Sequence, residues 1–314
     1  MVDAPHVPVM LDEMCEHLFN KKDGIYLDGT VGFGGHSLKI LDYLGKGGKL
    51  IGIDLDPYAL EYSNKHLSVH LNSFSLYHAN YKKFPEIINS LGIRKLNGML
   101  FDLGTSSYQV DSKHRGFSYR SNSDLDMRFN NSNSLSSTTY TAKDFLNSTD
   151  EKTLSDIIYF NSGEKQSRKI AYSIIKDVNS GKMLTTFDLK KSITNVVGKK
   201  YLIKSLSRVF QAIRIHINNE LNSLKDLLTV AFDCLDKDGR IVFITFHSIE
   251  DRMVKASFKQ NSITCICPKE IPECQCDIKP KIQIITKKAI TPSKIELFKN
   301  PRSRSAKMRV AKGL

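Results

Sequence analysis

The stretch YLDGTVGFGGHSLKIL, Tyr26 to Leu41, decides the fold. An apolar run ends on Asp28, glycines follow at 29, 32, 34 and 35, and Leu38, Leu41 and Leu44 then recur at helical spacing. In a strand, bare turn and helix taken in that order, backbone N–H groups and a positive helix end can approach a ligand closely. A phosphate-binding P-loop would need Lys-Ser or Lys-Thr after its last glycine, and neither follows here. The dinucleotide pattern G-x-G-x-x-G also fails, because Gly34 is followed by Gly35, His36 and Ser37. What remains is D-G-x-x-G-x-G-G-H with a second acid, Asp54, roughly 20 residues on, where a carboxylate can accept two hydrogen bonds from the vicinal hydroxyls of a ribose. The plainer reading of the same residues is a tight turn with aspartates that cap helices.

Working outward, KLIGIDLDP (49–57), FSLYHANY (74–81) and LNGMLFDLGTSS (96–107) are further short apolar runs. Strands that alternate with helical patterns at roughly 25-residue spacing predict βαβ units and a parallel sheet. Ligand chemistry then belongs at the carboxyl ends of the strands, where Asp28, Asp54 and Asp102 fall. After Asp102 the strand signal stops, and it resumes at GRIVFITFHSIEDR (239–252). The intervening residues are first polar and rich in Asn and Ser, then amphipathic and helical, as in LSDIIYFNSGEKQSRKIAYSIIKDV (154–178). This predicts an α/β domain over 1–108 and 216–314, interrupted by a helical insertion over 109–215. KIQIITKKAI (281–290) and SAKMRVAK (305–312) should close the sheet, and a competing reading of the latter is an edge strand with solvated cations.

The chain has 314 residues, enough for one large domain or two modest ones, and its net charge of +13 favours a polyanionic partner. Between Lys279 and Leu314 eleven Lys and Arg face one acid, Glu296, which predicts a basic face. No run of about 18 apolar residues is present, and the first residues show neither a basic leader nor an apolar core, so the expectation is a cytoplasmic protein with no membrane contact. Six cysteines in such a chain point to thiols or a metal rather than to disulfides. Four of them, Cys265, Cys267, Cys274 and Cys276, form two C-x-C pairs. Four thiolates in one loop can ligate zinc, yet C-x-C is not the common knuckle spacing, so reduced cysteines without metal are the default reading.

The blocks HVPVMLDE (6–13), DGTVGFGGHS (28–37), GIDLDPYAL (52–60), FDLGTSS (101–107), RGFSY (115–119), LDMR (125–128), FQAIRIHINNEL (210–221), FHSIEDR (246–252) and NPRSRSAKMRV (300–310) occur in this order. Together they resemble the bacterial 16S ribosomal RNA (cytosine-N4) methyltransferases nearly end to end. The resemblance implies a class I S-adenosylmethionine (SAM) methyltransferase fold, Rossmann-like, with a mixed, mostly parallel sheet and an inserted helical domain that helps to form an RNA cleft. It implies methyl transfer from SAM to N4 of a cytosine in the decoding region, on 16S rRNA within the small ribosomal subunit, by a monomer or homodimer. By position, Gly34, Gly35, His36, Asp54, Tyr81, Asp102 and Gln109 are similar to the family's cofactor contacts. The chain departs from the family where Tyr108 replaces a proline and where GEKQSRKIA and KYLIKSLSRVF alter two helical motifs.

A cytosine amine is a weak nucleophile because its lone pair is conjugated, so it must be held close to the methyl group with its hydrogens accepted. Asp102, Ser106 and Ser107 are the candidates for that acceptance, and His247, with Glu250 beside it, for taking up the proton. Arg115, Phe117 and Arg128, and the tail arginines Arg302, Arg304 and Arg309, are candidates for RNA contact, cations for phosphate and the aromatic for stacking. For Arg128 the competing reading is an ion pair with Asp124 or Asp126.

Overall fold

A computed structural model describes residues 8–70, 74–130, 140–267, 276 and 278–314. The chain divides into two compact units, residues 1–104 with 222–314, and residues 105–221.

The first unit is built on a seven-stranded sheet of order β3-β2-β1-β4-β5-β7-β6. Its strands are β1 (Ile25–Asp28), β2 (Lys49–Asp54), β3 (Phe74–His78), β4 (Leu96–Asp102), β5 (Leu235–Thr245), β6 (Ile282–Ile284) and β7 (Lys307–Gly313). The first five pair in parallel, and β7 runs antiparallel to both β5 and β6. Alternation sends neighbouring side chains to opposite faces. Leu27, Ile51, Met99, Phe101, Ile241 and Phe243 enter one core cluster, while Tyr26, Leu50, Leu100, Val242 and Ile244 enter another. Helices α1 (Leu11–Leu18), α2 (Gly35–Tyr43), α3 (Pro57–His66) and α4 (Phe84–Ser90) accompany the first four strands, and α12 (Ser248–Asn261) follows β5.

The sheet closes differently from the sequence expectation in two respects. β7 lies between β5 and β6, so it is not an edge strand. KIQIITKKAI forms a strand only over Ile282–Ile284. There Ile285 N and Thr286 N both donate to Val310 O, and Thr286 Oγ1 in turn accepts from Val310 N at 2.8 Å. A side chain thus takes the place of the next ladder partner, and the segment rejoins β7 by a single bridge, Ile290 to Met308.

The second unit is helical: α5 (Ser107–Asp111), α6 (Ala142–Ser148), α7 (Glu151–Ser162), α8 (Ser167–Asn179), α9 (Thr186–Thr194), α10 (Leu202–Ile217) and the start of α11 (Glu220–Val230). Capping explains where several begin. Thr141 and Thr185 each accept from the third backbone N–H of their helix, whose Asp returns the contact to the cap residue. Its own core joins Phe145, Leu154, Ile158, Ile170, Ile174, Leu189, Leu206, Val209 and Ile213. Within the Asn/Ser tract, residues 131–139 lie outside the described residues.

Candidate functional site

β1 and β4 are neighbours while β2 and β3 extend away on the other side of β1, so the order of connection reverses between β1 and β4. In an open parallel sheet the ligand crevice lies outside the strand ends at such a reversal. Asp28 ends β1 and Asp102 ends β4, with Asp54 ending β2 next to them.

The glycine turn is held from several sides. Gly32 has φ +52° and Gly34 φ +82°, conformations that side chains resist, and Gly34 is the N-cap of α2. Gly32 N donates to Asp54 Oδ2 at 2.7 Å, and Gly32 O accepts from the buried Ser63 hydroxyl at 2.6 Å. Gly29 has a different reason: a Cβ there would sit 2.3 Å from the Phe101 ring. Its bareness serves strand packing rather than ligand approach.

Asp28 is fully buried; its Oδ2 accepts from Ser37 Oγ at 2.6 Å and its Oδ1 from Thr30 N at 3.1 Å. Thr30 Oγ1 accepts from Asp102 N at 2.7 Å and ties the ends of β1 and β4 together. Asp54 Oδ1 accepts from Asp56 N at 2.8 Å, which with Gly32 leaves each oxygen one lone pair for a ligand. Burial pushes the carboxyls of Asp28 and Asp54 up to about 6. Asp102 is raised well above the usual carboxylate range, first by burial and then by Asp28, Glu250 and Glu296. Its Oδ1 is buried without a hydrogen-bond partner. Three sheltered carboxylates, one with an unpartnered oxygen, make a site that a cation would neutralise.

His36 is 5% exposed, and its Nε2 lies 2.9 Å from Val9 O, so Nε2 carries the hydrogen. Nδ1 faces Asp102 Oδ2 at 3.8 Å, beyond hydrogen-bond range. Burial lowers its pKa to about 4, and it is neutral at pH 7. Tyr81 follows β3 and packs edge-on against Phe101, with ring centroids 6.1 Å apart.

Ser106, Ser107 and Gln109 belong to the helical unit. Ser106 is the N-cap of α5, its Oγ accepting from Gln109 N at 3.2 Å while Gln109 Oε1 accepts from Ser106 N at 3.2 Å. This reciprocal box starts the helix and fixes the turn where the family has proline and this chain has Tyr108. His247 caps α12: its Nδ1 accepts from Glu250 N at 3.4 Å, and Nε2 comes within 2.9 Å of Glu250 Oε1 without an aligned hydrogen bond.

The RNA candidates separate. Arg115 is 5% exposed and donates to the carbonyls of Arg128 and Phe129 at 3.0 and 2.9 Å. Phe117 is buried and stacks on Phe129. Arg128 forms a two-pronged pair with Asp126 at 2.7 and 2.9 Å. Arg309, 8% exposed, grips Asp251 at 2.6 and 3.2 Å. These four side chains hold the fold, and the surface readings of Arg115, Phe117 and Arg309 give way to burial. Arg302 and Arg304 stay exposed. The basic tail is also partly neutralised, with Lys281 on Asp233, Lys307 on Asp251 and Lys312 on Asp238.

Sequence reasoning missed a basic stretch of the helical unit: the half-buried Lys190 and the exposed Lys191, Lys199, Lys200 and Lys204, with the exposed rings of Phe187 and Tyr201. Lys190 Nζ lies 5.0 Å from the Phe187 ring centre and Lys200 Nζ 5.5 Å from that of Tyr201. The signal was the spacing K-K-x7-K-K-x3-K across two helices. Among the described residues no helix is long and apolar enough to cross a membrane.

Residues 3–314 match the MraW methylase family. The chain belongs to that family. Ribosomal RNA small subunit methyltransferase H of Caldicellulosiruptor saccharolyticus is 44% identical over 307 residues, 98% of each chain. The proteins of the same name from Finegoldia magna and Clostridium botulinum are 43% and 42% identical, each over 99% of both chains. Membership makes the chain a methylase whose methyl donor is SAM, and its sheet is the class I methyltransferase arrangement. The site fits that donor, whose sulfonium and ammonium are cations, because Asp102 Oδ1 is a buried acceptor with no partner.

Proposed function

We propose that this MraW-family methylase transfers the methyl group of SAM to the exocyclic N4 of a cytosine in the decoding region of 16S rRNA, within the small ribosomal subunit. The observation that carries the reading is the trio Asp28, Asp54 and Asp102 around the β1/β4 reversal, raised by burial and short of positive charge. SAM supplies an electrophilic methyl group on a sulfonium. Asp102 Oδ1 accepts from its ammonium, the remaining lone pairs of Asp54 accept from its ribose hydroxyls, and the turn over Gly34, Gly35 and His36, with Tyr81 and Gln109, completes the binding set. Neutral His36 keeps a second positive charge away from the site.

Backbone and carboxylate acceptors near Asp102 hold the cytosine amine. Ser106, whose hydroxyl also caps α5, and Ser107 are the hydroxyls that accept from the amine. His247, occupied as the cap of α12, serves as a positioning residue for the end of β5. RNA reaches the protein through the lysine stretch Lys190–Lys204 and through Arg302 and Arg304. Exposed cations interleaved with exposed rings suit phosphates and unstacked bases.

The test is to incubate the protein with methyl-labelled SAM and small subunits that lack the modification, digest the RNA, and identify the labelled nucleoside by mass spectrometry. N4-methylcytidine at one position is the expected result. Label on another nucleoside would overturn the N4 assignment. Failure to label the RNA with SAM demonstrably bound would remove the RNA substrate.

A further inference from the structure

We propose that Cys265, Cys267 and Cys276 bind a zinc ion that holds together the loop between α12 and β6. The three Sγ atoms all lie within 4.8 Å of one another. Cys265 and Cys267 are near each other by sequence alone. Cys276, nine residues further on, is brought there by the fold. Thiolates around tetrahedral zinc, at about 2.3 Å from the metal, stand about 3.8 Å apart, so only a small contraction separates this cluster from a ligand set. Cys267 N also donates to Cys265 Sγ at 3.4 Å, which holds the first two thiols on one side of the cluster. Cys274 lies outside the described residues, and the proposed set does not include it.

The loop needs such a fastening. Its neck is closed by Lys281 N donating to Asn261 O at 2.9 Å and by the pair of Lys281 with Asp233. Between these anchors none of the three hydrophobic clusters takes a described residue from 259 to 281. Ile266 is 65% exposed. The described residues between the anchors thus have neither regular structure nor an apolar anchor, which is uncommon for a long connection in a compact domain. A metal supplies the missing cross-link, and in binding it displaces the three thiol protons to solvent. α12 starts where β5 ends, and the neck of the loop is tied by Lys281 to Asp233 just ahead of the start of β5, at the strand edge opposite Asp28, Asp54 and Asp102, so the role is structural.

The experiment is to purify the full chain under reducing, oxygen-free conditions, measure zinc by elemental mass spectrometry, and titrate the metal-stripped protein with cobalt(II). One zinc per chain and the thiolate-to-cobalt absorption of a tetrahedral site are expected. Both should disappear in Cys265→Ser/Cys267→Ser and persist in Cys15→Ser/Cys234→Ser. The wild-type cobalt spectrum stands even if a variant folds poorly. Absence of both zinc and a cobalt-thiolate band in the wild type, or their survival in Cys265→Ser/Cys267→Ser, would overturn the proposal. So would an intact mass showing these thiols already joined as disulfide under reducing conditions.

Discussion

Asp102 is the residue on which ligand charge and protein stability pull in opposite directions. Its buried, unpartnered Oδ1 and its raised carboxyl destabilise the unliganded protein and prepare it for a cation. Asp102→Asn keeps the shape and removes the charge. It should raise the melting temperature of the unliganded protein while lowering SAM affinity about tenfold to hundredfold, the worth of a charged hydrogen bond. Calorimetry of both quantities checks this, and a loss of both together would mean that the residue is merely structural. Asp28 and Asp54 add a pH dependence. Their folded pKa values of about 6 lie above the ordinary 3.8, so the stability they contribute is complete below the ordinary value and is lost as pH rises through about 6. Donor binding runs the other way, since the ionised carboxylates attract it. The thermal shift produced by SAM should therefore be larger at about pH 7.5 than at about pH 5.5, read by scanning fluorimetry at constant ionic strength. An equal shift at both would remove the electrostatic account.

At the scale of elements, β1, the glycine turn and α2 were legible because each local signal agreed: apolar run, acid, glycines, then helical leucines. What the sequence could not tell was why each glycine is bare. Gly29 faces the Phe101 ring across β1 and β4, a contact between strands more than 70 residues apart. Gly29→Ala forces a 2.3 Å contact that the ring must relieve, and should cost about 1–3 kcal/mol in urea unfolding. The loops were harder to read. Arg115 and Phe117 looked like surface groups in a polar stretch, but polarity in sequence does not say which way a side chain turns. Here Arg115 turns inward to satisfy two carbonyls and Phe117 stacks on Phe129. The same holds for Arg309, which a basic tail suggested for RNA and which β7 directs onto Asp251. Helix α5 shows local chemistry replacing an expected residue, since the Ser106–Gln109 box sets the turn with Tyr108 in the place of proline.

For the whole molecule the distribution of charge matters more than its total. The helical unit, residues 105–221, carries 18 Lys and Arg against 11 Asp and Glu, so about a third of the chain holds over half of the net +13. In the sheet unit four of the eleven tail cations, Lys281, Lys307, Arg309 and Lys312, are drawn into pairs with Asp233, Asp251 and Asp238. The helical unit thus carries the larger net share of the charge, and in it Lys199, Lys200 and Lys204 stand exposed around the start of α10. Phosphate contacts make affinity fall with salt, at a slope of about 0.7 per contact for a single strand. Lys199→Glu/Lys200→Glu/Lys204→Glu should weaken RNA binding and flatten the plot of log affinity against log salt by about 2. SAM affinity should not change, because none of the three belongs to the carboxylate site. Filter binding across a salt series, beside calorimetry of SAM, reads both. An unchanged slope would move the RNA surface away from α10 and make Arg302 and Arg304, among the exposed cations of the tail, the ones to replace next.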